Sequence, residues 1–99
     1  MSEKVENRNR AVLDAAVKLA ASRGYRNITR QQVADEAQVA VGSVNNAYGT
    51  MDGLRDAVMA AAVERSLPAI VAQGLADRHP AALNASAELR GAALASLAA

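Results

Sequence analysis

The residue types in this chain that could do chemistry are amides set among glycines, not acids, thiols or imidazoles. Asn45 and Asn46 stand side by side between Gly42 and Gly49, in the run VGSVNNAY over 41–48 and the glycine that follows it. A carboxamide donates and accepts at once, so an Asn at groove depth pairs with N6 and N7 of an adenine edge, a contact that discriminates by about 1–3 kcal/mol. If the run is helical, a step of about 100° per residue sends Val44, Ala47 and Tyr48 to one face. Gly42, Asn45, Asn46 and Gly49 then fall on the other. Glycines beside the amides let a helix backbone approach a duplex closely. Two adjacent Asn also suit a plain solvated surface, since Asn is a poor helix former, and what precedes them decides between the readings.

A capped helix precedes them. Thr29 is followed three residues later by Gln32, the two halves of a capping box, and Ile28 and Val33 flank the box at the spacing of a hydrophobic staple. Such a cap contributes about 1 kcal/mol. The spacing predicts a helix from near Arg30 with Val33, Ala34 and Ala37 inward, a turn at Gln38 and Val39, and a second helix from about Val41. Two short helices about a tight turn form a helix-turn-helix, a motif that reads double-stranded DNA with its second helix. Upstream, a helix is expected over about Asn9 to Arg23, with Leu13, Ala16, Val17 and Ala20 inward and Gly24 as its left-handed stop. Downstream, Thr50 caps a helix with Asp52 in its first turn, where a negative charge suits the helix dipole, and with Leu54, Ala57, Val58, Ala61 and Ala62 inward.

From about Arg10 to Val58 the chain resembles the DNA-binding domain of the TetR family of bacterial transcriptional regulators. The residues that carry the likeness are the run RAVLDAA from Arg10 to Ala16, Leu19, Gly24-Tyr25, Thr29, Val33-Ala34, Ala37, Val39, Gly42-Ser43-Val44, Tyr48 and Leu54, in register without a gap. The resemblance implies an all-α fold with a helix-turn-helix of the TetR/homeodomain-like type. It implies that Thr29 and Arg30 touch phosphate at the start of the first helix of the pair, with Gln31 beside them. Ser43, Asn45 and Asn46 would sit in the major groove, with Val41 and Gly42 at the start of that helix. The chain departs from the family's usual Ser at Ala40, Tyr at Asn45 and Lys at Met51, and the last two are commonly backbone contacts. Ala20 replaces a usual large aromatic, which implies tighter or shallower packing of the first helix. Phosphate contacts supply most non-specific affinity, so other cations must replace the missing anchors. The candidates are Lys4, Arg8, Arg10, Arg26, Arg30 and Arg55, of which Arg10 and Arg26 join the expected DNA-binding set.

Charge is distributed to match. The net charge of +1 conceals a basic first third, with seven Lys and Arg against three acids in residues 1–32, and an acidic remainder, with four Arg against seven acids. The basic part is where DNA would lie, although scattered cations also serve as a solvated face. The two aromatics, Tyr25 and Tyr48, fall at core-like positions and leave no stacking platform for single strands. With no cysteine there is neither a disulfide nor a thiolate metal site. The lone His79, followed by Pro80 and without clustered carboxylates, fits a turn or helix end better than acid-base or metal work. Gly42, Gly49 and Gly53 match no nucleotide-binding spacing. The expectation is therefore no enzyme, no catalytic residue, no metal and no cofactor. No long apolar run and no signal pattern is seen, so a cytoplasmic chain without membrane contact is expected.

Residues 1–66 are read as the helix-turn-helix domain and 67–99 as a short C-terminal helical dimerisation region. Pro68 restarts the chain into a helix over Ala69 to Asp77, a turn follows at His79-Pro80, and an alanine- and leucine-rich stretch runs from about Ala85 to Leu97. Leu67, Ile70, Val71, Leu75, Leu89, Leu94 and Leu97 exceed what a small four-helix domain buries, which suggests a homodimer through these helices, unless the tail folds back on its own domain or frays. The expected function is a homodimeric repressor on a palindromic operator. No small-molecule ligand is expected, because thirty-odd residues cannot enclose one and also form an interface. The alternative is a protein-interaction module that uses the helix-turn-helix as a scaffold to bind another regulator.

Overall fold

Local signals fix most of the helix ends. A computed structural model describes residues 2–98, and among them the helices are α1 (Ser2–Arg23), α2 (Arg30–Ala37), α3 (Val41–Tyr48), α4 (Met51–Glu64), α5 (Pro68–Ala76), α6 (Pro80–Leu83) and α7 (Ala87–Ala98). Gly24 stops α1 at φ +89°, a conformation open to a residue without Cβ. Thr50 Oγ1 accepts from the Gly53 amide at 3.0 Å and caps α4. Pro68 takes the first helical turn of α5, where its missing N–H leaves nothing unpaired.

Three helices end in left-handed residues that are not glycine: Gln38, Ser66 and Arg78, at φ 59°, 55° and 58°. After each, the next amide reaches back five residues, Val39 to the Ala34 carbonyl at 3.0 Å, Leu67 to Ala62 at 2.8 Å and His79 to Gly74 at 2.8 Å. These are Schellman closures, which satisfy carbonyls the helix end would otherwise leave free.

One hydrophobic core runs through the chain. Val12, Ala16 and Ala20 of α1, Val33 and Ala34 of α2, Val44 of α3, and Leu54, Val58, Met59 and Ala62 of α4 are buried with Tyr25 and Ile28 of the α1–α2 loop. The same core takes Ile70, Val71 and Ala72 of α5, Ala82 of α6 and Ala93 of α7. The expected boundary at residue 66 falls in the α4–α5 turn, and the core crosses it. α5 lies on α4 at close range: a Cβ on Gly74 would meet Met59 Sδ at 2.5 Å and Ala82 Cβ at 2.8 Å. Ion pairs join α1 to its neighbours, Lys18 to Glu36 at 3.1 Å and Asp14 to Arg65 at 2.8 Å.

Three expectations are corrected. α1 begins at Ser2, not near Asn9. Its first turns are polar and extend past the core, so no inward stripe marks them, and Val5 is 44% exposed. In α1 the buried set also includes Val12 and Ala15, while Leu13 is only half-buried, and in α4 Met59 is fully buried where Ala57 is not. The tail folds back. Ile70 and Val71 are core, and Leu67, Leu75 and Leu89 pack against it, so of the seven aliphatics reserved for a partner only Leu94 and Leu97 stand exposed. A pattern of apolar residues reports burial but does not name the surface that buries them.

Candidate nucleic-acid interface

The α2–α3 unit is built from its caps. Thr29 Oγ1 accepts from the Gln32 amide at 3.2 Å, and the Thr29 amide donates to Gln32 Oε1 at 3.1 Å, so both halves of the capping box are present. This leaves Arg30 and Gln31 in the first turn of α2, where unpaired backbone N–H groups and the dipole favour an anion. Gln31 is exposed and donates to Asp35 Oδ1 at 2.8 Å one turn on. The Gln38 closure then turns the chain into α3. At the α3 N-terminus Ala40 has an extended backbone but supplies no side-chain hydrogen bond, the consequence of an alanine where a serine would cap.

α3 divides as its spacing requires. Val44 is buried and Ala47 and Tyr48 pack against the core, while Gly42, Asn45, Asn46 and Gly49 are exposed. Val41 and Ser43 lie half-buried on the flanks. A Cβ built at Gly42 or at Gly49 meets nothing within 4 Å. The Asn45 and Asn46 side chains make no hydrogen bond among the described residues, so their amides are free toward solvent. Tyr48 Oη donates to the Asn9 carbonyl at 3.3 Å and ties the end of α3 to α1. Burial, and then the nearby Asp14 charge, push the Tyr48 phenol pKa up.

The basic candidates separate into two sets. Among the described residues Lys4, Arg8, Arg10 and Arg30 enter no ion pair, whereas Arg26 pairs with Asp77 and Arg55 with Asp52. Arg55 also reaches toward the Ile28 carbonyl at 3.5 Å, and its buried Nε has no partner. Arg55 thus braces α4 against the entry to α2. Arg10 lies on α1 beside Asn9, along an open groove with Glu6, Glu64 and Arg65. Of the expected set, Thr29, Arg30 and Gln31 lie at the start of α2 and Val41, Gly42, Ser43, Asn45 and Asn46 on α3, while Arg10 lines a groove with Tyr48 and Arg26 sits in the loop before α2.

The loop before α2 contains contacts that sequence reasoning missed. Gln73 of α5 accepts from the Tyr25 amide at 2.8 Å through Oε1 and donates from Nε2 to the Ala20 carbonyl at 3.0 Å. Asp77 accepts from the Tyr25 hydroxyl at 2.6 Å and from Arg26 Nε, while the Arg26 guanidinium lies 5.2 Å from the centre of the Tyr25 ring. The Tyr25 hydroxyl and then Arg26 hold the Asp77 carboxyl below its ordinary range. Burial and the Asp77 bond raise the Tyr25 phenol. His79 stands edge-on to Tyr25, accepts from the Ala81 amide at 3.1 Å and pairs with Asp56 at 2.8 Å. It is a helix-end residue, N-capping α6. No local signal could have revealed the Gln73 and Asp77 contacts, because their partners lie 48 to 53 residues away in the chain.

Among the described residues no helix is long and apolar enough to cross a membrane. No curated protein and no solved structure matches the chain. Residues 12–58, from the first core residue of α1 through Val58 of α4, match the family model described as bacterial regulatory proteins, tetR family. That segment contains the capped α2, the Gln38 turn and the α3 helix with its outward amides. Residues 12–58 are thus a helix-turn-helix domain of the tetR family type, the DNA-binding fold of bacterial regulatory proteins.

Proposed function

We propose that the protein is a sequence-specific repressor that binds double-stranded DNA as a homodimer on a palindromic operator. The observation that carries this reading is the outer face of α3, where Asn45 and Asn46 project unpartnered beside Gly42 while Val44 fixes the helix from within. In this reading Asn45, Asn46 and Ser43 read base edges, Val41 and Gly42 lie against the groove, and Thr29, Arg30 and Gln31 hold phosphate at the α2 N-terminus. Arg10, with Lys4 and Arg8 on the same helix, replaces the missing backbone anchors. Arg26 contributes through the face of its guanidinium that Asp77 leaves open. Two subunits would present their α3 helices about one helical turn of DNA apart. The homodimer is supported by Leu94 and Leu97 on α7, which are 59% and 67% exposed. Action without an inducer is supported by the filled α4–α5–α6 junction, where Gly74 already crowds Met59 and Ala82.

Selection of binding sites from random duplexes tests the reading. The expected result is an enriched sequence with twofold symmetry, bound with an affinity that falls steeply as salt rises. Asn46→Ala relaxes base preference, while Arg30→Ala weakens all duplexes alike and lowers the salt slope by about one per site. Enrichment of an asymmetric site refutes the homodimer, and equal binding to enriched and random DNA refutes sequence-specific readout. That second outcome favours a protein-interaction module built on the same scaffold, a reading that the exposed Leu94 and Leu97 also suit.

A further inference from the structure

The short loop from Gly24 to Thr29 sets where the phosphate-facing start of α2 lies, and much of its polar anchoring comes from α5, outside the segment that matches the tetR family. Within the loop, Asn27 closes on Arg23 and Gly24, and Ile28 is buried. Asn27 shapes the loop, and the buried Tyr25 and Ile28, with Arg55 reaching the Ile28 carbonyl from α4 at 3.5 Å, fix its apolar side to the domain. Gln73 fixes the polar side at the backbone, with its amide bridging the Tyr25 N–H and the Ala20 carbonyl, at 2.8 and 3.0 Å. Asp77 does so at the side chains, taking the Tyr25 hydroxyl and Arg26 together. α5 is itself held rigidly by Ile70, Val71 and the close approach at Gly74.

We propose that Gln73 and Asp77 are positioning residues for DNA binding: from α5 they clamp the Gly24–Thr29 loop in the one shape that presents Thr29 and Arg30 to the phosphate backbone. The proposal rests on the reading that the α2–α3 unit binds duplex DNA. It makes α5 part of the DNA-binding device and gives any event that displaces α5 a route to the interface.

Gln73→Met tests it without changing charge, and Tyr25→Phe, which removes only the hydroxyl held by Asp77, is the second variant should the first fold poorly. Binding to a duplex of random sequence is measured across a salt series, alongside amide hydrogen exchange. Each variant is expected to exchange the Tyr25–Thr29 amides about tenfold faster while Val58 and Met59 in α4 keep their wild-type protection. Affinity falls about tenfold and the salt slope drops by about one, the signature of a lost phosphate contact. A uniform loss of protection across α4, with an unchanged salt slope for the folded protein, marks a merely structural role and overturns the proposal. So does faster loop exchange with wild-type DNA binding. Asp77→Asn gives a further sign test: binding tightened beyond what one added positive charge gives would mean that the clamp withholds Arg26 from phosphate. If the wild-type protein binds no duplex at any salt, the DNA reading itself fails, an outcome distinct from variants that bind as well as wild type.

Discussion

Gly42→Ala separates folding from DNA binding at a single methyl group. The residue lies in the first turn of α3, on its exposed face, and a Cβ there meets nothing within 4 Å. The folded chain has no use for glycine at this position, because its φ is not positive. Alanine is the better helix former by up to about 1 kcal/mol, which in a domain of this size raises Tm by about 4–8 °C. Against a duplex the methyl adds about 1.5 Å of bulk to the α3 backbone. Backing the helix away by that distance stretches hydrogen bonds of about 2.9–3.0 Å beyond useful length. Losing one amide–base pair removes about 1–3 kcal/mol, so affinity for the enriched site falls by about five- to a hundred-and-fiftyfold per half-site. Thermal unfolding and a mobility-shift titration on the same preparation give the two numbers. A variant that is more stable and binds with wild-type affinity refutes the close approach of α3 to DNA.

Three further outcomes follow from the packing and the caps. Ala40→Ser supplies the side-chain cap that α3 lacks and is expected to stabilise by about 1 kcal/mol in denaturant unfolding; no gain would mean that the serine does not reach the α3 amides. Gly74→Ala sets about 1–3 kcal/mol of overpacking against Met59 and Ala82 against about 1 kcal/mol of helix propensity, so a net loss of up to about 2 kcal/mol is expected by the same measurement, and a net gain would refute the tight α4–α5 contact. Because Asp77 is held below its ordinary range by Tyr25 and Arg26, its share of stability is complete above the usual carboxylate range and lost as pH falls through its folded value. An acid titration followed at the Tyr25 ring resonances by NMR should show this loss, and Asp77→Asn should abolish it.

The legible part of the fold is the part that local chemistry encodes. Thr29 and Gln32 form their box, Thr50 caps α4 and Gly24 stops α1 at the positions their residue types predict, and Gln38 turns the chain where the apolar spacing breaks between the two short helices. The division of α3 into an apolar side around Val44 and an amide side at Asn45 and Asn46 follows from spacing alone. The start of α1 is not legible, since an apolar stripe is what marks a helix in sequence and its first turns have none facing the core. Nor was the destination of Ile70 and Val71, because a burial signal is the same whether the covering surface belongs to the chain or to a second copy.

The same limit explains why the clamp on the α2 entry was invisible while the entry itself was not. The capping box pairs the Thr29 and Gln32 amides within four residues, so the sequence predicts the shape of that helix start. Its placement depends on Gln73 and Asp77, polar residues at the end of a helix that a pattern of leucines and alanines marks only as apolar. An amide and a carboxylate at such sites read as solvated surface until the fold brings Tyr25 to them. Residues that shape an interface are therefore legible when their partners are a turn away, and residues that position it are not when their partners are some fifty residues distant. Under the proposed clamp, a change confined to Gln73 and Asp77 should alter phosphate contact without touching a residue that faces the duplex.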